Sequence, residues 1–219
     1  MPVLVRRLVL SCWGVGLRSA RGLLVAAPAL KIGNVKELIA LAKAKPGALN
    51  FGSAGTGSGT HFAAEVFKVA AKIDVVHIPY KGIPEPMNAT MTNRVQFFMA
   101  PLASSVSLVR AGRLTAIGVT SEKRVAIYPD IPSLAESGLP GFSFDSWGGL
   151  LAPSKTPRAI VGRLNREITA LLNSPDITKR MRALGAEPAP LSPEAFDRKI
   201  AKELREIAAI AKSAGIRPQ

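Results

Sequence analysis

The chain has 219 residues, enough for one large domain or two small ones. It is 47% hydrophobic, 20% charged and 5% aromatic, a globular composition with an aliphatic core rather than that of a disordered chain. The net charge of +14 favours anionic partners, but the basic residues are scattered at helical spacing among glutamates and only two Trp and two Tyr are present. Nucleic-acid binding, which wants aromatic platforms or a recognised module, is therefore not expected. No apolar run is long enough to predict a transmembrane helix. A lone cysteine, Cys12, excludes an internal disulfide framework. With only His61 and His77 beside it, no Cys/His zinc cluster is predicted, and no cofactor is implied.

The first 29 residues, "MPVLVRRLVLSCWGVGLRSARGLLVAAPA", place Arg6 and Arg7 before an apolar run from Leu8 to Leu17 and end on Ala27-Pro28-Ala29. Those are the parts of an export signal in order. Arg18 and Arg21 interrupt the apolar part, so residues 1–29 read as an atypical segment, a degraded signal or a spurious start. Regular structure is expected from Gly33 onward. Asn34, with Glu37 three residues on, is a helix start, and Val35, Leu38, Ile39 and Ala42 then share one face. Pro46-Gly47 ends that helix, and "LNFGS" reads as a short buried strand. A glycine loop follows. Ser58 or Thr60 then caps a second helix, with Phe62, Val66, Phe67 and Ala70 predicted inward and Glu65 on the solvent face.

"DVVHIPY" is a β-branched strand, "EPMNATMTN" a short helix or turn, "RVQFFMA" a strand, Ser104 to Ala111 a helix, and "RLTAIGVTS" a strand. This alternation predicts an α/β lobe with a parallel or mixed sheet over residues 30–146. A Pro/Gly-rich stretch from Tyr128 leads into one more strand in "FSFDSWGGLLAPSKTP". Helical stretches 158–173, 176–184 and 193–214 follow with no further strand, and the boundary falls near Trp147.

The loop "GSAGTGSGTH" sits between a strand and a helix N-terminus. Free amides there, together with the helix dipole, make an anion site. Glycines let the backbone approach a ligand closely, while Ser53, Thr56, Ser58, Thr60 and His61 add side-chain donors. The spacing is neither a P-loop nor GxGxxG. The plain alternative is a tight β–α connection whose glycines merely turn. A catalytic reading lacks a base, because His77 lies in an apolar strand, no carboxylates are paired at a telling spacing and there is no GxSxG elbow. Holding a ligand is favoured over converting it.

The segments "LNFGSAGTGSGTHFAAEVFK", "VVHIPYKG", "LVRAGRLTAIGVTSEKR", "YPDIPSLAESGLPGF", "SWGGLLAPSKTP", "LGAEP" and "AGIRP" occur in that order. Together they resemble the substrate-binding proteins of tripartite tricarboxylate transporters, the Bug-type extracytoplasmic solute receptors. The resemblance implies a type II periplasmic binding protein-like fold of two α/β lobes with a ligand in the cleft. It implies no enzymatic activity. The expected partners are a small carboxylate solute and the membrane permease subunits of the transporter, with a periplasmic location and a monomer when intact. Ser53, Gly55, Thr56, Gly57, Ser58, Thr60 and His61 would face the solute, as would Tyr80, Lys81 and Gly82 at the "PYKG" strand end. Trp147 would lie where the chain returns to the other lobe.

Two departures stand out. Most of the family's N-terminal lobe is not recognisable, so residues 147–219 are expected to supply only that lobe's C-terminal helices, without a sheet to cover. A truncated, non-functional member of the family is the alternative. And where members often carry Asp or Asn after the "VQ…F" strand, this chain has Met99-Ala100-Pro101, which removes a polar ligand contact.

Overall fold

The structure is a computed structural model that describes residues 13–183, 186–213 and 215. Two compact units divide the chain: residues 21–146 form one, and residues 147–219 join the N-terminal segment through Ala20 in the other.

The larger unit is built on a five-stranded mixed sheet. Its strands are β2 (Gly22–Ala26), β3 (Asn50–Ser53), β4 (Val76–Pro79), β5 (Phe97–Pro101) and β6 (Thr115–Val119), in the spatial order β4-β3-β5-β2-β6. β3 runs parallel to β4 and β5, while β2 runs antiparallel to both its neighbours. Residues 22–26, expected to belong to an export-like segment, are thus an interior strand of this sheet. Leu23, Leu24, Val25 and Ala26 are fully buried. Alternate residues point to opposite faces of a strand. Leu24 and Ala26 accordingly join a core with Phe51, Phe97 and Met99, whereas Leu23 and Val25 join one with Phe98, Leu102 and Val106. A strand buried on both faces shows no polar alternation, and an uninterrupted apolar run of that kind is what a signal segment also shows.

Helices α1 (Val35–Ala44) and α2 (Gly59–Ala71) cover the first face, through Val35, Leu38 and Ala42 and through Ala64 and Phe67. Helices α3 (Pro84–Met91) and α4 (Leu102–Arg110) cover the second, through Met87 and Val106. The start of α1 follows its capping sequence: Asn34 Oδ1 accepts from the Glu37 amide at 3.0 Å, and Glu37 Oε2 accepts from the Gly33 amide at 2.7 Å. The buried face of α2 differs from the expected one. His61, Ala63, Ala64, Glu65, Phe67 and Ala71 are inside, while Ala70 is exposed and Phe62 and Val66 are partly covered. Glu65 is therefore an interior residue, not a solvent-facing one. The helix is turned so that His61 and Glu65 sit against each other one turn apart, at 3.7 Å.

The second unit has its own three-stranded sheet, order β7-β1-β8, from β1 (Trp13–Ala20), β7 (Ser146–Ala152) and β8 (Ala186–Pro188). β1 and β8 pair antiparallel, with Ser19 opposite Glu187. Helices α5 (Arg158–Leu172), α6 (Pro175–Ala183) and α7 (Pro193–Ser213) complete it. The C-terminal helices were expected to have no sheet; residues 13–20 supply its middle strand. Ile160, Leu164 and Leu171 of α5 nevertheless stay about half exposed, as do Leu150 and Leu151 of β7.

Candidate functional site

β3 and β5 end at the same edge of the large sheet, and the antiparallel β2 begins there. Crevices outside the carboxyl ends of strands are where open α/β sheets hold ligands. A cavity of about 220 Å³ lies at that edge, wholly within residues 21–146. Its walls include Arg21 and Gly22 at the start of β2, Ser58, Gly59 and Thr60 at the start of α2, Met99 in the middle of β5 and Pro101 at its end.

The glycine loop is a pre-formed network. Gly55 and Gly57 take positive φ of 123° and 77°, conformations that L side chains rarely adopt. Ser58 is the N-cap of α2: its Oγ accepts from the His61 amide at 3.2 Å and lies 3.0 Å from Thr60 Oγ1. Thr60 Oγ1 accepts from the Ala54 amide at 2.9 Å. The Gly57 amide donates to His61 Nδ1 at 3.1 Å, which leaves the His61 proton on Nε2, toward Glu65. The amides of Gly59 and Thr60, in the first turn of α2, have no acceptor among the described residues, as helix geometry dictates for unpaired first-turn groups. No acidic residue stands in that turn to offset the positive end of the helix.

Beneath the loop lies a pair of imidazoles, His61 buried and His77 half-buried. The rings of His61 and His77 stack with centroids 3.8 Å apart, and Phe51 stacks on His77 at 4.9 Å. His77 Nε2 is 2.6 Å from Ser53 Oγ, which also accepts from the Gly55 amide at 3.1 Å. Burial lowers the pKa of His61, with Lys68 adding to the effect. Burial, then the neighbouring His61 and Lys68, lower His77 to about 4. Burial raises Glu65, against the pull of Lys68. At neutral pH both rings are uncharged and serve as packing and hydrogen-bonding groups.

The expected site residues therefore part company. Ser58 and Thr60 line the cavity, together with Gly59 between them. Gly55, Thr56 and Gly57 form the crown of the loop, while Ser53 and His61 are buried under it. Tyr80 and Gly82 brace the loop from the next strand, their amides donating to the Ser53 and Ala54 carbonyls at 3.0 and 3.3 Å. The Lys81 amide donates to Glu85 at 3.0 Å. Trp147 lies in the other unit, where its indole N–H donates to Glu203 and its ring meets Phe196 edge-on at 5.0 Å.

Sequence reasoning missed Arg21. Arg21 lines the cavity, and its Nη1 is buried with no hydrogen-bond partner among the described residues. The Arg21 carbonyl accepts from the first amide of α4, at Leu102, at 3.0 Å. The next residue, Gly22, is clamped by Thr120: its amide donates to Thr120 Oγ1 at 2.9 Å, and its carbonyl accepts from the Thr120 amide at 3.0 Å. An Arg-Gly pair directly before a short apolar run was the available signal. Among the described residues no cluster of three His, Cys, Asp or Glu is placed to hold a metal ion.

The model of the tripartite tricarboxylate transporter family receptor matches residues 15–216. A Pseudomonas sp. (strain P51) protein encoded in the tcbD-tcbE intergenic region is 35% identical over 74% of this chain and 48% of its own length. The solved structure of R. palustris Rpa4515 with adipate is 32% identical with a TM-score of 0.85, over 94% of this chain and 69% of that one. The periplasmic binding protein BugD is 29% identical with a TM-score of 0.80, over 95% and 70%. The chain thus spans about half the length of the first of these and about seven-tenths of the two solved structures. The fold is that of the type II periplasmic binding proteins, and BugD is itself a periplasmic binding protein. The chain belongs to the tripartite tricarboxylate transporter receptor family.

Proposed function

We propose that this chain is a solute receptor of a tripartite tricarboxylate-type transporter. It holds a small carboxylate at the cavity of residues 21–146 without chemistry and passes it, in the periplasm, to the membrane permease subunits. The observation that carries this reading is the position of the cavity on the first turn of α2, where the Gly59 and Thr60 amides are unspent and the helix end is uncompensated. The adipate held by the R. palustris relative supports a carboxylate as the solute.

Thermal melting of the purified chain with millimolar carboxylates and their uncharged amides tests this, because a ligand that binds only the folded state raises Tm. At least one carboxylate should raise Tm, and its amide should not. Gly59→Val is the matching variant. Gly59 lines the cavity and a Cβ there meets nothing within 4 Å, so the variant adds bulk at the site without disturbing the core. It should leave the unliganded Tm in place and abolish the shift. If no carboxylate moves the transition, or if Gly59→Val keeps the full shift, the reading is wrong.

A further inference from the structure

The cavity has two kinds of wall. The charged element is Arg21, a guanidinium that carries five donors. Leaving a charged donor buried and unpaired is costly, and Nη1 is such a donor among the described residues, on a half-buried arginine that lines the cavity, so an acceptor on the guanidinium would offset that cost. The Arg21 backbone does not drift, being fixed by the Leu102 amide on one side and by the Gly22–Thr120 clamp on the other. A planar carboxylate matches the guanidinium fork, and the first-turn amides of α2 line the same cavity.

Most of the remaining wall is apolar, with Ala63, Ile83, Met99, Pro101 and Phe144, and Ser146 is a polar member of it. The hydroxyls that do reach the cavity are already engaged. Thr120 Oγ1 accepts from the Gly22 amide at 2.9 Å and donates to its carbonyl at 3.3 Å. Thr60 Oγ1 accepts from Ala54 and is shared with Ser58. A solute hydroxyl or second carboxylate placed against this wall would lose its water and find few free partners, and an unpaired buried polar group discriminates strongly.

We propose that Arg21 is the specificity-determining residue of the cavity. Its guanidinium takes the solute carboxylate, and the Ile83, Met99 and Phe144 wall selects a solute whose body is unsubstituted hydrocarbon over hydroxylated polycarboxylates. This rests on the carboxylate-receptor reading of the same cavity.

Calorimetric titration of the full chain with hexanoate, hexanamide and citrate tests both halves. Hexanoate should bind at least about tenfold more tightly than either of the others, in keeping with one charge-assisted pair gained or lost. Arg21→Gln should bring hexanoate down to the hexanamide level, and Arg21→Lys, which keeps the charge but not the fork, should fall between. Unliganded melting curves of both variants confirm folding, and the Lys variant keeps the test open if the Gln variant does not fold. If Arg21→Gln binds hexanoate as the parent does while Gly59→Val does not bind it, Arg21 is not the grip, although the receptor reading stands. If citrate equals or exceeds hexanoate, the apolar-body selection is overturned. If the parent binds no carboxylate, both readings fall together.

Discussion

Replacing His77 by Gln should remove a defined part of the acid sensitivity of this protein. The ring of His77 lies between Phe51 and His61, with Ser53 Oγ at Nε2, and its folded pKa is about 4 against 6.5 for a free imidazole. A folded pKa below the unfolded one means that the unfolded chain binds the proton first. The stabilisation from neutral His77 is therefore complete above about pH 6.5 and is lost as pH falls through the folded value near 4. The full difference corresponds to roughly 3 kcal/mol, at about 1.4 kcal/mol for each pKa unit. The ring is only partly buried, so solvent screens the charge, and about 1–2 kcal/mol is the realistic share. His61 acts in the same direction and Glu65 in the opposite one, so the parent's total slope is not the measure. The measure is the difference between parent and variant. Urea unfolding followed by circular dichroism at pH 7 and pH 4.5 should show the parent losing about 1–2 kcal/mol more than His77→Gln across that interval. Equal losses in the two proteins would mean that His77 is not held neutral by its surroundings, and the description of the cluster beneath the loop would have to be abandoned.

Two more expectations concern the same region. Glu65 has a folded pKa raised by burial, so its carboxylate is disfavoured in the folded state and its contribution falls as pH rises through that value. Glu65→Gln should hold or raise the melting temperature at pH 7, and any gain should vanish near pH 4, where the parent carboxyl is itself neutral in the folded state; a drop at neutral pH would show that the Lys68 pairing outweighs burial. Gly52→Ala places a Cβ 2.8 Å from Pro86 Cβ and 3.4 Å from Val95 Cγ2, both packed atoms. Overpacking of that kind costs roughly 1–3 kcal/mol, and an unchanged unfolding midpoint would show that α3 can move away from β3.

The sequence announced the elements whose signals are local. Asn34 with Glu37, the glycines before Ser58, and the β-branched run ending at Pro79 each name a helix start, a turn or a strand without help from distant residues. β2 was hidden for a physical reason. It runs antiparallel between β5 and β6 and is covered on both faces, so residues 23–26 carry no polar alternation. β1 and β8 were hidden because the edges they complete are defined only by pairing across more than 160 residues of sequence, Ser19 against Glu187. The inward face of α2 was misjudged because hydrophobicity favoured Phe62 and Val66, while the fold spends that face on His61 and Glu65 beneath the loop. Arg21 went unread as a ligand group because its neighbours resembled an export segment. The Arg-Gly pair before the apolar run is a weak local signal, because it fits an arginine that interrupts such a run as well as one that opens a strand at a cavity.

A site of this kind is best located by asking which donors are left over. In the loop from Ser53 to His61 the side chains look like an array offered to a ligand, yet most are committed to the protein. Ser53 serves His77 and Gly55, Thr60 serves Ala54, Ser58 serves His61, and His61 serves Gly57. These bonds fix the turn, and the fixed turn is what leaves the Gly59 and Thr60 amides open. The same pattern recurs at Arg21 in the cavity lining, whose backbone is bound by Leu102 while its Nη1 has no partner among the described residues. The hydroxyls and the imidazole act as scaffold, and the leftover amides and guanidinium nitrogen act as the grip. Affinity for an anion should therefore track Gly59 and Arg21 directly. Changes at Ser53 or His61 should reach it only through the shape of the loop, and so should appear first in stability.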